Sequence, residues 1–476
     1  MQNKILSAVM AFFVAAVMAG CGSNSSMMLP SAKTASVTVT MTDAPPAGVT
    51  VLSFEVNVNS ATLNPGTTPD SSSVPLLAKP VEIEVKQLET ESAFLSAANV
   101  PAGTYKSISF SLMNPELTIL NQSNATIGSC VNGAVCEFKP SGGNVTFSSA
   151  PFPVTLQAGS PSGFRVDVNL ANLITNSLTL DFTVAGAINI TQFSLPNQME
   201  EAAEELNDLR GVIQNLDGTN KKFDLVTSQG TFSITTNSNT EFELEDVTCA
   251  AMPANFSCLA NGQVVEVDVA MMAGSVFLAK KIEIEEQQEV DEVEGVVFKI
   301  DSATQFELVV LDEEGNITNV GLGNPVVITL QSGATFQVDT DGLNVPSVLL
   351  SAFQGATDTS QLLPGQVVQV RARSVMAGPP ITVATDRVRL RMSQFTAQVS
   401  GAPASPNFNL GNLPAIFTNN GVTSVQVQTS SATEFENVAG VSNLADGNIV
   451  SVRGLLFKNA GSPPAILIAA KVRLRQ

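Results

Sequence analysis

The pattern that defines the architecture reads Gly365-Gln366-Val367-Val368-Gln369-Val370, a glycine followed by a short apolar segment. Related segments occur at residues 262–267 (Gly-Gln-Val-Val-Glu-Val) and 447–452 (Gly-Asn-Ile-Val-Ser-Val). Glycine adopts the backbone angles of tight turns, and apolar residues at alternate positions predict a strand with one buried face. The three segments therefore predict three similar turns, each leading into a strand.

Other blocks recur around this turn in the same order, so the turn is part of a threefold repeat. An upstream block combines Thr with Phe, and a downstream block is an alternating strand that closes the unit. These blocks lie at residues 238–243, 332–337 and 431–436 upstream, and at 279–285, 384–391 and 469–475 downstream. The sequence predicts repeat units over residues 209–286, 293–392 and 395–476.

Each unit has room for five or six short strands. A sheet of this size exposes its edges unless it closes on itself, which favours a small OB-like β-barrel. Because each unit carries its own turns and strands, we expect each barrel to fold without its neighbours. The units resemble the exported family DUF 5666, which has no known activity, so the resemblance implies no chemistry.

Residues 36–195 have a different arrangement of strand signals. Alternating segments separated by Pro, Gly and Asn turns predict a β-sandwich. The region resembles the bacterial family DUF 4382 in its Thr42-Asp43-Ala44-Pro45 turn and in Val100-Pro101-Ala102-Gly103-Thr104-Tyr105. The resemblance implies a fold and a surface location but no activity. Asp43 either caps its own turn, the common role of Asp there, or is a calcium ligand or a recognition residue.

A linker helix is predicted over residues 196–208. Glutamates crowd the beginning of this segment, where the helix dipole favours acidic side chains. These glutamates are either a general acid–base pair or part of a solvated spacer between domains. The exposed setting favours the spacer.

The N-terminus has the features of an export signal. Residues 1–20 contain one lysine, a short apolar run and small residues before a cleavage position, and the run is too short to span a bilayer. Residues 17–21, Val-Met-Ala-Gly-Cys, resemble the bacterial lipobox, which implies acylation of Cys21 and a membrane anchor. The alternative is an ordinary signal peptide with an incidental cysteine. Residues 21–35 predict a flexible tether, and Gly22 resembles the sorting residue of outer-membrane proteins.

The other four cysteines form two close pairs, Cys130 with Cys136 and Cys249 with Cys258. In an oxidising compartment, local pairing is the simplest of the three connectivities. The alternative is a zinc site made of four thiolates, which the spacing and the absence of histidine disfavour. We therefore predict two local disulfides and no metal site.

Composition excludes several classes of function. The 476 residues include 23 basic and 43 acidic side chains, a net charge of −20, which disfavours nucleic acid as a partner. Without histidine, Ser-His-Asp and Cys-His catalysis are excluded. A carboxylate-pair glycosidase is disfavoured because the chain has one Tyr and no Trp to stack on sugars. Residues 312–316 fit a hairpin turn better than a calcium loop. We expect no enzyme activity and no cofactor.

Basic side chains alternate along strands of the second and third units, which places each set on one face. The set comprises Arg371, Arg373, Arg387, Arg389, Arg391, Lys471, Arg473 and Arg475. These residues are either solvated positions that discourage edge pairing or a face that binds a polyanion. The sequence predicts a membrane-anchored envelope protein with a structural, adhesive or binding role toward an envelope protein. The alternative function is binding of an anionic glycan or other polyanion by the arginines.

Overall fold

The structure is a computed structural model that describes most of residues 34–475. The gaps are 45–48, 67–71, 78, 91–92, 160–161, 176–177, 183, 195–204, 228–229, 245–248, 252, 273–275, 285–290, 316–319, 341 and 462. Strands dominate these residues and the helices are short, so the predicted all-β class is confirmed. No helix in the described part of the chain is long and apolar enough to cross a membrane.

The N-terminal domain is a sandwich of two sheets. Its strands are β1 (Thr34–Ala44), β2 (Val49–Pro65), β3 (Val74–Pro75), β4 (Val81–Glu84), β5 (Ala93–Pro101), β6 (Gly103–Asn121), β7 (Val135–Phe138), β8 (Gly143–Phe147), β9 (Val154–Leu156), β10 (Ser162–Asn169) and β11 (Ile188–Ser194). One sheet has the order β11-β10-β1-β5, and the other is built on β2 and β6. Val166 of β10 and Ile119 of β6 belong to one core, as expected when two sheets pack face to face.

Two short elements connect strands of the sandwich. A 3₁₀ helix, Val85–Glu89, follows β4, and helix α1 (Leu170–Leu173) follows β10. The turn predicted from Thr42 onward is wrong for its first three residues, which lie in β1, and residues 45–48 lie outside the described residues. Asp43 lies in β1, where its backbone is opposite Val168 of the parallel strand β10.

Most of the remaining strands form closed rings. In chain order, the remaining strands are β12 (Glu205–Asp217), β13 (Lys222–Val226), β14 (Thr231–Thr235), β15 (Glu241–Leu244), β16 (Val264–Met272), β17 (Val276–Ile284), β18 (Glu292–Ser302), β19 (Gln305–Glu314), β20 (Pro325–Val338), β21 (Val367–Met376), β22 (Ile381–Val399), β23 (Asn407–Gly411), β24 (Val425–Gln428), β25 (Glu434–Glu436), β26 (Ile449–Lys458) and β27 (Ala465–Leu474). The rings are β14-β13-β12-β16-β17, β20-β19-β18-β21-β22 and β22-β23-β24-β27-β26. Strands β15 and β25 lie outside the rings, and each pairs with one ring strand, β17 and β27 respectively. Each contains one parallel pair: β14 with β17, β20 with β22, and β24 with β27. Helices α2 (Ser347–Gln354) and α3 (Ala415–Thr418) lie in connections.

One turn has the same structure in all three barrels and explains the glycine pattern. Gly365 has a φ of 96°, which residues with a Cβ rarely adopt. The next side chain, Gln366, accepts a hydrogen bond at 2.7 Å from the backbone N–H of Leu363. Equivalent bonds join Gln263 to Ala260 at 2.9 Å and Asn448 to Ala445 at 2.7 Å. A 3₁₀ turn precedes each glycine, at Phe256–Cys258, Thr359–Gln361 and Val441–Asn443.

The second and third barrels share a strand and part of a core. The first part of β22 pairs with β20 and β21, and its second part pairs with β23 and β26. Leu455 and Phe457, on the third barrel's strand β26, pack in the core of the second barrel. The predicted boundary between residues 392 and 395 therefore falls inside a strand. The third barrel also has a core of its own, around Val452 and Val472, and its folding without the second barrel stays a prediction.

The predicted linker helix is corrected at its C-terminal end. Residues 205–208 belong to strand β12, in which Glu205 lies opposite Ala270 of β16. Pairing with β16 provides the backbone hydrogen bonds that a helix would have provided, and tertiary structure thus overrides local propensity. Residues 195–204, the rest of the prediction, lie outside the described residues.

Candidate functional site

The sandwich docks on the last barrel through the 3₁₀ helix that ends at Glu89. Glu89 and Thr90 are both buried. Arg473 and Arg475 donate hydrogen bonds to the backbone carbonyl of Glu89, at 3.2 and 2.6 Å. Thr90 Oγ1 donates to Gln394 Oε1 at 2.5 Å. The C-terminal strand of the fold is therefore joined to its N-terminal domain.

Charges at this contact are paired. The Glu89 carboxylate pairs with Lys86 of the same helix, and Arg473 donates to Glu436 at 2.7 Å. Burial acts to raise the pKa of Glu436, but the positive charges of Arg473 and Lys471 outweigh burial and lower that pKa. Arg473 is 4% exposed. A guanidinium this buried is stable only when carboxylate and carbonyl partners satisfy it.

Arg371 and Arg373, two of the arginines singled out in the sequence, share one carboxylate. Arg371 donates two hydrogen bonds to Asp386, each 2.9 Å long, and Arg373 donates one at 2.7 Å. Burial acts to raise the pKa of Asp386, but the hydrogen bonds from both guanidinium groups outweigh burial and lower it. These arginines therefore fix the hairpin formed by β21 and β22.

Arg387 and Arg389 are buried on strand β22. Arg387 pairs with Glu292, and burial raises the pKa of that carboxyl despite the neighbouring positive charge. Burial also lowers the pKa of Arg389 to about 10. The Arg389 guanidinium donates to Gln369 at 3.3 Å. Arg389 therefore links β22 to its neighbour β21, whereas Arg387 reaches past β21 to Glu292 on β18.

Arg391 organises a charged junction between the first and second barrels. It donates to Glu294 at 3.1 Å and to Asp339 at 2.6 Å, and it lies 4.0 Å from Glu266 of the first barrel. Glu283 lines a small cavity of about 50 Å³ here, and burial raises its pKa. An arginine of one barrel thus offsets acidic side chains of both. With Arg391, all seven arginines predicted to bind a ligand have partners within the protein.

A larger cavity, of about 410 Å³, lies where the sandwich and the second and third barrels meet. Its apolar lining includes Val49, Val51, Leu52, Val296, Leu311, Val367, Phe395, Leu413, Ile416 and Phe417. Its polar lining includes Thr50, Lys86, Glu89, Gln122, Glu294, Gln394 and Arg453. Cavities of this size and composition are typical of small-molecule sites. Sequence reasoning missed this site because its residues meet only after three domains dock.

A buried carboxylate pair lies where the sandwich contacts the second barrel. Ser53 Oγ is 3.2 Å from a carboxylate oxygen of Glu55 and 2.5 Å from one of Glu84. Burial and the charge of Glu84 raise the pKa of Glu55 to about 8, and burial raises the pKa of Glu84. The Cα of Gly323, in the second barrel, lies close to the Glu55 carboxylate. The backbone carbonyl of Gly323 accepts a hydrogen bond from Thr118 Oγ1 at 2.7 Å. The pair is therefore part of an interdomain contact.

The cysteines of the folded domains form the two predicted disulfides. The bonds join Cys130 to Cys136 and Cys249 to Cys258, with S–S distances of 2.04 and 2.06 Å. Among the described residues, no group of three or more His, Cys, Asp or Glu side chains is arranged to hold a metal ion. Cys21, the signal-like segment and most of the predicted tether lie outside the described residues.

The fold defines a multidomain all-β protein made of a sandwich and OB-like barrels. Residues 34–199 match the family described as Domain of unknown function (DUF4382). Residues 210–283 and 421–462 match Domain of unknown function (DUF5666). The expected domain composition is therefore supported for the sandwich and for parts of the first and third units.

Comparison with individual proteins adds little to these family matches. A search of curated proteins finds no match. A solved structure, a multidomain protein with nucleic acid binding domains from Streptococcus pneumoniae TIGR4, is 10% identical with a TM-score of 0.11. The similarity covers 58% of this chain and 74% of that chain. A TM-score this low has no bearing on function.

Proposed function

We propose that the chain is a lipid-anchored, non-catalytic protein of the bacterial cell envelope with a structural or binding role. The docking of the last barrel on the sandwich carries this proposal, because Arg473 and Arg475 both bind the Glu89 carbonyl. Modules joined only by flexible linkers need no such contact. Domains in one chain move relative to one another unless an interface holds them. A fixed arrangement suits a platform that presents binding surfaces.

The proposed attachment is an acyl group on Cys21. The signal-like residues 1–20 and the resemblance of residues 17–21 to a lipobox support this assignment. Acyl chains contribute about 0.8 kcal/mol per buried methylene, so several chains provide a stable anchor. The net charge of −20 gives the chain no electrostatic attraction to anionic lipid. The proposed location is the outer membrane, on its periplasmic or outer face.

The proposed partner is another envelope component rather than a substrate. Support for a non-catalytic role comes from the lack of histidine in the sequence and from the internal pairing of charged residues such as Arg387 with Glu292. The polyanion alternative has weaker support, because the seven arginines on which it rests contact groups of the protein itself.

Fractionation of a Cys21→Ala protein tests the anchor. Wild type should remain with membranes after a high-salt wash, whereas Cys21→Ala should be released or remain unprocessed. Ser23→Ala lies just beyond the lipobox-like segment and should behave like wild type. A processed Cys21→Ala protein that stays with the membrane would show that the anchor is elsewhere.

A further inference from the structure

We propose that the 410 Å³ interdomain cavity binds an uncharged, mainly apolar small molecule. Its volume falls within the range of about 300–1,000 Å³ that is typical of sites for small organic ligands. The site depends on the docking of the domains and not on the lipid anchor. This proposal and the anchoring proposal can therefore fail separately.

The walls of the cavity come from three domains, and several of their apolar side chains are almost completely buried. Leu52 of the sandwich is 1% exposed, Leu311 and Val367 of the second barrel are 6% and 5% exposed, and Phe395 of the third barrel is 4% exposed. The apolar surface of a ligand that enters the cavity is removed from water, which contributes about 25 cal/mol for each Å². A ligand with an apolar body would gain such contacts from all three domains at once.

One wall is an aromatic pair held in a fixed arrangement. The rings of Phe395 and Phe417 have centroids 4.7 Å apart and are tilted by 54°. Phe417 packs directly on the backbone of Gly365, where a Cβ atom would lie 2.4 Å from the ring. A rigid wall loses little conformational freedom when a ligand binds. Aromatic rings also favour contact with flat, apolar ligands.

The charges around the cavity indicate that the ligand is neutral. Lys86 pairs with Glu89, and Glu294 accepts a hydrogen bond from Arg391. A charged ligand would have to compete with these internal pairs and would also lose its hydration. The amide of Gln394 also lines the cavity and provides hydrogen-bonding atoms for one polar substituent of the ligand.

Two fluorescent probes of similar shape test both parts of this proposal. N-Phenyl-1-naphthylamine is neutral and apolar, and 8-anilino-1-naphthalenesulfonate adds a sulfonate to the same ring system. Both would be titrated into the full chain carrying Cys21→Ser, which removes the acylation site but leaves every cavity residue in place. We expect saturable binding of the neutral probe, with an affinity at least about tenfold higher than that of the sulfonate.

Matched phenylalanine variants locate the binding. Val296→Phe fills the cavity from the second barrel, and Val49→Phe fills it from the sandwich. Val348→Phe adds the same side chain at a residue that is 71% exposed and does not line the cavity. Each cavity variant should weaken binding of the neutral probe about tenfold or more, and Val348→Phe should not change it. Thermal unfolding would identify which variants fold, so that one cavity variant can replace the other.

Three results would overturn the proposal. The first is the absence of saturable binding of the neutral probe by the parent protein. The second is unchanged affinity in a folded cavity variant, which would place the probe elsewhere. The third is equal or tighter binding of the sulfonate, which would contradict the neutral class of ligand.

Discussion

Arg473 donates a hydrogen bond at 3.2 Å to the backbone carbonyl of Glu89, 384 residues earlier in the chain. Glu89 ends a 3₁₀ helix of the sandwich, whereas Arg473 lies in the last strand of the last barrel. Arg475 binds the same carbonyl at 2.6 Å. The alternating arginines of the closing strand therefore hold the first domain in place, and their spacing reflects an internal contact.

Loss of these arginines should weaken the docked fold. The double variant Arg473→Gln, Arg475→Gln removes both guanidinium donors from the buried Glu89 carbonyl. Glu436 loses Arg473 but keeps Lys471, 3.5 Å away, as a partner. An unsatisfied buried group costs about 1–3 kcal/mol, so we expect the free energy of unfolding to fall by roughly 1–3 kcal/mol in urea titrations. The matched variant Arg371→Gln, Arg373→Gln removes a more exposed cluster and should cost about 0–1 kcal/mol. Equal losses in the two double variants would argue against the docking role.

The stability of the sandwich contact should depend on pH through Glu55. Its pKa rises from 4.5 to about 8 on folding, because of burial and the charge of Glu84. The folded protein thus keeps a proton that the unfolded chain loses between those pH values. This stabilisation is complete below about pH 4.5 and is lost as the pH rises through about 8.

Glu55→Gln tests this dependence because its amide resembles the protonated carboxyl. The fall in unfolding free energy between about pH 5 and pH 8 should be smaller than in wild type by at least about 1 kcal/mol. Glu137→Gln changes a solvent-exposed carboxylate of the same domain, which pairs with Lys139, and should retain the wild-type fall. An unchanged fall in Glu55→Gln would exclude Glu55 as its source.

The repeated glycine turn offers a matched test of packing between barrels. Gly365 and Gly262 have similar φ angles, 96° and 86°, so alanine is strained at both. A Cβ at residue 365 would lie 2.4 Å from the Phe417 ring, whereas no atom lies within 4 Å of one at residue 262. Gly262→Ala should cost about 1 kcal/mol and Gly365→Ala about 1–3 kcal/mol more. Equal losses in the free energy of unfolding of the two variants, measured in denaturant titrations, would show that the Phe417 side chain moves to make room for the added methyl group.

The barrel class could be predicted from sequence because each unit repeats a local signal. Gly365 and the Gln366 side chain that turns back to Leu363 define one such turn within a few residues. Ser-x-Leu-x-x-Gly, at residues 257–262, 360–365 and 442–447, is a further repeated signal. It overlaps the last two residues of each 3₁₀ turn and would have extended the predicted glycine turn upstream.

The interdomain features could not be predicted in the same way. The Glu89 carbonyl that binds Arg473 belongs to the backbone and has no residue signature. The alternation along β22 correctly indicated a strand, but it could not show that Arg387 meets Glu292 or that the strand continues into the next barrel. Contacts of this kind depend on how the folded domains pack against one another. The local sequence pattern does not encode that packing.

Cross-linking of introduced cysteines tests the docking of the sandwich on the last barrel most directly. Thr90 Oγ1 and Gln394 Oε1 are 2.5 Å apart across that contact. In a Thr90→Cys, Gln394→Cys protein treated with a short thiol-to-thiol cross-linker, mass spectrometry should find residues 90 and 394 linked within one chain. Thr90→Cys with Gln398→Cys, four residues further along β22, should remain unlinked. A folded protein in which the first pair stays unlinked, or in which both pairs link equally, would contradict the docked arrangement.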